Sequence, residues 1–388
     1  MKWLLFESFH LAYHHKLDVL IIAKMLKSQG EEVSIFDIFH EYNEDVIDGI
    51  PVLHWKSNIT VPDKTWMLQK RTFLGSLWNG LKYGIHKYLY MRAVKNFIVD
   101  KADFYYCGSY HNNMSTVLFS IKKPCFWWGL RSDRFNFSVS KLLHDPHMAL
   151  NLLIARIKFL SNPNQHLFVS NGLILEEHVQ IGIPRNRMVI REERCIENMP
   201  DPNYNLLNNP FTFLTIGQLR PDKRIEFTIS EFLKIKTHCQ YVLAGKAQES
   251  YENVISSSIN EHNNIIRINK FLDYSEFNLL FQQAQFVVLA DKQQVGSVTN
   301  GTFLESLINF RPVIAPNYNP YKYYIDKYQV GILFDPNVPG DLTNAMHKAI
   351  EKGSKYYENN IREFLKTIQF EKLAKQLHLD ILKNYKSL

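Results

Sequence analysis

Phe211-Thr212-Phe213-Leu214-Thr215-Ile216-Gly217-Gln218-Leu219-Arg220-Pro221-Asp222-Lys223 organises the reading of the whole chain. Its first six residues are aromatic, β-branched or leucine, the composition of a buried strand. Gly217 marks a tight turn, and a helix is expected to start near Asp222, a first-turn acid. A turn of this kind offers free backbone N–H groups at a helix N-terminus, where an anion is stabilised. Arg220 and Lys223 add two cations: Arg grips a phosphate in bidentate fashion, and Lys acts as a point charge. Taken alone, the stretch reads more readily as a solvated turn with two surface cations.

Outward from this turn, strand and helix patterns alternate. Toward the C-terminus come a helix at Ile225 to Lys236 and strands at Gln240 to Ala244, Ile265 to Ile268, Phe286 to Ala290, Pro312 to Ala315 and Gly331 to Phe334. Asp341 to Leu388 is nearly all helical in pattern. Toward the N-terminus, Asn198 to Pro210 carries three Pro, five Asn and one Asp and reads as a linker. Before it lie strands at Lys2 to Glu7, Val33 to Ile38, Asp103 to Cys107, Cys125 to Trp128, His166 to Val169 and Met188 to Arg191. The pattern predicts an α/β protein with two Rossmann-like parallel-sheet domains facing across a cleft. The expected division is 1–200, 205–365, and a C-terminal helix over 366–388 packing back on the first domain. Ligands are then expected at the carboxyl ends of the strands.

A second constellation is Gly296-Ser297-Val298-Thr299-Asn300-Gly301-Thr302-Phe303-Leu304-Glu305. It follows a strand and opens a helix. Asn300, Gly301 and Thr302 present backbone amides to an anion, and Gly301 lets a ligand come close. Glu305, one turn into the helix, is an acceptor for two ribose hydroxyls; a first-turn acid answering the helix dipole is the equal alternative.

Together these pieces resemble the retaining glycosyltransferases of the GT-B fold, the large family 4 group (glycosyl transferases group 1). In that family a Gly-Arg-Leu-x-x-x-Lys-Gly motif binds the donor diphosphate. Two Glu separated by seven residues come later, before Gly-x-Pro-Val-Ile-Ala. Gly217 to Arg224 is similar to the first motif, and Leu304 to Ala315 to the second. The resemblance covers about 205–355, with a weaker likeness from Phe168 to Pro184. It implies donor contacts from Gly217, Gln218, Ser297, Thr299, Asn300, Gly301, Thr302 and Glu305, with Arg220 and Lys223 as the catalytic cations. Three departures stand out. The motif Arg falls on Gln218, the first Glu falls on Ser297, and the family's first-domain His has no obvious match, His111 lying nearest.

The resemblance implies a nucleotide-sugar donor, held as a substrate rather than a cofactor. It also implies retention of anomeric configuration. Two cations and a helix N-terminus would stabilise charge on the departing diphosphate, with no metal; no Asp-x-Asp pattern is present. The acceptor, a saccharide or lipid-linked saccharide, is assigned to the first half. The loop Ser8 to Lys16, with His10, Tyr13 and His14, follows the first strand there. An aromatic loop covering the sheet edge is the equal alternative. Surface polysaccharide assembly is the setting the resemblance suggests.

Composition bounds these readings. The chain has 388 residues and a formal charge of +7, which favours anionic partners. No basic block of about five or six residues argues for nucleic acid. No apolar run of about 18 residues predicts a spanning helix. Cys107, Cys125, Cys195 and Cys239 form no CxxC pair, so reduced thiols and a cytoplasmic setting are expected. Trp66 to Phe97 is a basic amphipathic helical pattern with Ile85, Tyr88 and Leu89 on its apolar face. It fits either a core-facing helix or one lying on the inner face of an anionic membrane. Met148 to Leu160 is a second such stretch. The rival functions are an inactive glycosyltransferase-like binding subunit, favoured by Ser297, and a sugar-nucleotide epimerase, for which no acid/base pair is evident. A dehydrogenase would need a GxGxxG after a strand, and none is present.

Overall fold

The strand patterns become two parallel sheets in the computed structural model. It describes residues 1–7, 13–39, 42–55, 73–108, 117–129, 146–192, 194–207, 209–259, 262–293 and 300–386, without the side chains of 13–17, 73–84, 87, 146–151 and 386. The chain divides into two units, Met1–Glu193 with Phe370–Leu388, and Arg194–Gln369.

The first unit holds β1 (Lys2–Phe6), β2 (Glu32–Asp37), β3 (Val46–Ile47), β4 (Ile50–His54), β5 (Phe104–Cys107), β6 (Cys125–Trp128), β7 (Gln165–Val169) and β8 (Met188–Ile190). Their order in the sheet is β3-β4-β2-β1-β5-β6-β7-β8, parallel throughout except for the β3–β4 hairpin. That hairpin was not legible as strand, because Asp48 and Gly49 close it within a few residues and both take positive φ. Its helices are α1 (Tyr13–Ser28), α2 (Phe73–Ile98), α3 (Pro146–Ser161), α4 (Gly172–Gln180) and, from the far end of the chain, a final helix at Phe370–Lys386. That last helix packs against α1 and β8, and Asn384 Nδ2 donates to the Met188 carbonyl at 3.3 Å.

Central strands are buried along their length, as they must be when helices cover both faces. Trp3, Tyr105, Tyr106, Phe126 and Trp127 are each no more than 1% exposed. Gly30 ends α1. It takes φ +82, and Glu31 N reaches back to the Leu26 carbonyl at 3.2 Å.

Two expectations for this unit are corrected. Tyr13, His14, His15 and Lys16, read as loop, are the first residues of α1. No Gly or Pro interrupts them, and none of these residue types opposes a helix strongly. The stripe Ile85, Tyr88 and Leu89, offered as core-facing, is about half exposed. Among the described side chains of α2 the buried ones are Tyr90, Met91, Val94 and Ile98, which lie on the opposite side of the helix from that stripe.

The second unit carries β9 (Phe211–Ile216), β10 (Cys239–Ala244), β11 (Ile265–Ile268), β12 (Phe286–Val288), β13 (Val313–Pro316) and β14 (Gly331–Phe334), in the order β11-β10-β9-β12-β13-β14, all parallel. Among its helices are α5 (Ile225–Phe232), α6 (Glu249–Ile259), α7 (Tyr274–Gln283), α8 (Gly301–Ile308), α9 (Tyr321–Tyr328), α10 (Asp341–Lys352) and α11 (Glu358–Thr367), so the Phe370–Lys386 helix is α12. β9 lies at the centre, paired with β10 and β12.

The Pro- and Asn-rich stretch read as a linker is tied to this second unit. Arg311, wholly buried, donates from Nε to the Phe281 carbonyl at 2.9 Å and from Nη2 to the Gln282 carbonyl at 3.0 Å. The same Nη2 donates to the Asn203 carbonyl, and the guanidinium lies 5.3 Å from the Tyr204 ring. Burial pushes its pKa down to about 10. Arg311 is thus the peg that holds 203–204 against α7.

Candidate functional site

At the carboxyl end of β9, Gly217 takes φ +109, a region that favours glycine. Its neighbour across the sheet is another glycine for a steric reason. A Cβ on Gly245 would lie 1.9 Å from the Gly217 carbonyl oxygen. The two strand ends therefore approach with no side chain between them. On its other side, a Cβ on Gly217 would lie 3.6 Å from Thr302 Oγ1, at the start of α8. The turn after β9 and the N-terminus of α8 are brought together, as the two sequence constellations require.

The turn itself differs from the sequence reading. Pro221–Lys223 is one turn of 3-10 helix, Arg224 is left-handed at φ +50, and α5 begins only at Ile225. The missing side-chain cap on α5 is supplied from elsewhere: Tyr251 Oη lies 3.0 Å from Ile225 N and accepts from it. The expected helix start at Asp222 is therefore displaced by three residues, and the first amide of the true helix is occupied. Pro221 sets the φ of the 3-10 turn, and Arg224 breaks its continuation.

Both candidate cations carry partners. Arg220 grips Asp222 in a bidentate pair, Nε to Oδ1 at 3.0 Å and Nη2 to Oδ2 at 2.9 Å. Lys223, only 11% exposed, sets its ammonium 3.0 Å from Asp291 Oδ1. Asp291, just past the end of β12, is itself buried and held from the other side. Asn300 Nδ2 donates to its Oδ2 at 2.7 Å, and Tyr321 Oη donates to the same oxygen at 2.5 Å. Lys292 N donates to the Asp222 carbonyl at 2.7 Å, bracing the turn against the segment after β12. Sequence reasoning missed Asp291 and Tyr321. Neither lies in a motif, and only folding brings them to Lys223.

Asn300 caps α8, its Oδ1 accepting from Thr302 N at 2.9 Å. Phe303 N donates to the Asn300 carbonyl at 2.9 Å. These two amides are thus engaged within the cap. Among the described residues, a Cβ at Gly301 would meet nothing within 4 Å. Gln218 is exposed beside the turn, while Leu219 is buried and bridges to Ala247.

Glu305, one turn into α8, pairs with Arg194 at 3.6 Å. Burial raises its carboxyl pKa, and the Arg194 guanidinium partly opposes that rise. Arg194 is a third residue that sequence reasoning missed. Tyr318, near Asp291, keeps a buried hydroxyl without a hydrogen-bond partner among the described residues. Burial, then Asp291, raises its pKa.

Ser297 and Thr299 lie outside the described residues, as do His10 and His111; Tyr13 and His14 are placed only by their backbone in α1. Among the described residues no group of three or more His, Cys, Asp and Glu could hold a metal ion. None of the described helices is long and apolar enough to cross a membrane.

Residues 201–364 match the family described as glycosyl transferases group 1, so this domain assignment rests on the second unit, which contains Gly217, Lys223, Asp291, Asn300 and Glu305. No curated protein sequence matches the chain. Solved structures share the whole architecture. HepE of Anabaena in complex with UDP is 14% identical, with TM-score 0.66 over 100% of both chains. The lipopolysaccharide outer core galactosyltransferase WaaB is 13% identical, with TM-score 0.65 over 100% of this chain and 99% of that one. Sucrose-phosphate synthase from Thermosynechococcus elongatus is 12% identical, with TM-score 0.64 over 100% of both. At these identities the likeness establishes the fold, two parallel-sheet α/β domains of GT-B type.

Proposed function

We propose that the protein transfers a sugar from a nucleoside-diphosphate-sugar to a saccharide or lipid-linked saccharide acceptor. The observation that carries this reading is the meeting of Gly217, Lys223 and the N-terminus of α8 at the carboxyl ends of β9 and β12. This lies inside the segment that matches the glycosyl transferases group 1 family. Lys223 supplies the positive charge for the departing diphosphate, which gains charge as the glycosidic bond breaks. Arg220 is half exposed and can exchange Asp222 for a phosphate at small cost, since such surface pairs are weak. The backbone at Gly301, where glycine permits close approach, receives the diphosphate or sugar, and Glu305 accepts from the ribose hydroxyls. Retention and metal independence are parts of this proposal, as is the acceptor role of the first unit.

A place on an anionic membrane surface also belongs to the proposal. Ile85, Tyr88 and Leu89 form an exposed stripe on α2, with the exposed Arg92 one turn on. Ile154, Ile157 and Lys158 form a matching exposed stripe on α3. Apolar groups flanked by cations suit a headgroup boundary, where a lipid-linked acceptor would reside.

Thermal unfolding with UDP, GDP, ADP, CMP and dTDP tests the donor reading. A ligand bound only by the folded state raises its stability by about 2.7 kcal/mol at a hundredfold excess over Kd. UDP comes first, because HepE was solved with it. A rise with one nucleotide that is lost in Lys223→Ala supports transfer from that donor. No rise with any of them refutes it in favour of a subunit that binds no nucleotide.

A further inference from the structure

The diphosphate assigned to Lys223 is not the only anion available to that ammonium. Lys223 and Asp291 are 11% and 7% exposed, and they lie 3.0 Å apart. The carboxylate cannot swing away, because its second oxygen accepts from both Asn300 and Tyr321. Tyr321 is buried on α9, and Asn300 is fixed as the cap of α8. The ammonium, by contrast, sits on a four-carbon stem and has three donors to share. Arg220 is matched in the same way by Asp222. Arg220 and Lys223 therefore each have a carboxylate partner before any nucleotide arrives.

We propose that Asp291 is the resident counter-ion of Lys223: it holds the ammonium in place in the empty site, competes with the nucleotide's diphosphate for it, and so limits how tightly the nucleoside diphosphate product is retained. This rests on the donor-site reading above. A fixed carboxylate beside a buried ammonium lowers the charge an incoming anion meets. It also stabilises the empty state, which the bound state must displace. Asp291 thus works through Lys223 and makes no contact with the sugar. Its removal has two opposite consequences. The empty protein loses stability, because a buried ammonium is left unpaired. The nucleotide binds more tightly, because it becomes the only strong counter-ion. A residue that merely supported the fold would produce the first effect without the second.

The test is calorimetric titration of UDP, with GDP, ADP and dTDP alongside, into the full-length wild type, Asp291→Asn, Lys223→Met and the double variant. Asp291→Asn is expected to bind nucleotide about tenfold more tightly than wild type, from the loss of one nearby negative charge. In the Lys223→Met background the same change should have little effect. Asp291→Ser, which leaves room for a water, repeats the measurement if Asp291→Asn does not fold. Equal or weaker nucleotide binding in the Asp291 variants overturns the proposal. A gain that persists undiminished without Lys223 also overturns it. If the wild type binds none of the nucleotides, the donor-site reading itself fails, and this proposal falls with it.

Discussion

Arg194, the first residue of the second unit, places its guanidinium 3.6 Å from the Glu305 carboxylate across more than a hundred residues of chain. Burial raises the carboxyl pKa of Glu305, and Arg194 opposes the rise. If the ionised carboxylate accepts from the ribose, nucleotide affinity falls as pH drops through its pKa. Arg194→Ala leaves the burial unopposed, so the fall should begin at higher pH. Glu305→Gln should bind more weakly at neutral pH and lose this dependence. Nucleotide titrations from mildly acidic to neutral pH check all three proteins, and a wild-type affinity that does not change over that range counts against the role.

Lys223→Ala should cost more than nucleotide binding. It leaves Asp291 buried against Asn300 and Tyr321 without its cation. Breaking one side of a buried pair costs about 3 kcal/mol or more. A drop in melting temperature without ligand is therefore expected, with recovery in Lys223→Met combined with Asp291→Asn. An unchanged melting temperature in Lys223→Ala would show that the pair is solvated.

Arg311 is a stability residue. Replacing it with Ala removes a wholly buried guanidinium and strands the carbonyls of Phe281, Gln282 and Asn203. The expected loss is about 3 kcal/mol or more. Lys at this position cannot reproduce the planar fork and should recover only part of it. Limited proteolysis should show cleavage near Asn203 in the Ala variant, since that segment loses its anchor.

His166 makes the first unit acid-sensitive. It stacks on Phe126 at 4.9 Å and is 1% exposed. Burial, then Arg187, lowers its pKa from 6.5 to about 4. The folded state keeps the ring neutral while the unfolded state takes up a proton. Its contribution is therefore complete above about pH 6.5 and is lost as pH falls toward about 4, a span worth about 3 kcal/mol. His166→Phe should flatten this part of the stability–pH curve, as read from denaturant midpoints at a series of pH values.

The exposed stripe of α2 predicts a surface interaction. Ile85→Glu and Leu89→Glu should leave melting temperature nearly unchanged, since both side chains are about half exposed. They should weaken binding to anionic vesicles about tenfold or more, because each apolar side chain buried contributes about 1–2 kcal/mol. Co-sedimentation with anionic and with neutral vesicles measures this, and wild type that pellets with neither excludes the membrane role.

Most strands were legible because their signal is local. Cys125 to Trp128, Phe211 to Ile216, Ile265 to Ile268 and Gly331 to Phe334 end where apolar runs end. Gly217 was legible as a turn, and its steric need is visible in the structure at Gly245. The β3–β4 hairpin escaped notice because β3, with two residues, carries no period. The start of α1 escaped because polarity was taken for loop, although helix formation depends on backbone and rotamer freedom more than on polarity.

By itself the sequence determined most of the strands and helices, the glycine turn, and the residue types set aside for an anion. Those follow from period and turn chemistry over a few neighbouring residues. Tertiary structure alone decided which charges meet. Lys223 faces Asp291, Glu305 faces Arg194, and Arg311 grips the segment at Asn203. Such pairings join residues far apart in the chain. A charge's strength depends on its partner and its burial, and both exist only once the sheet has placed its strand ends side by side.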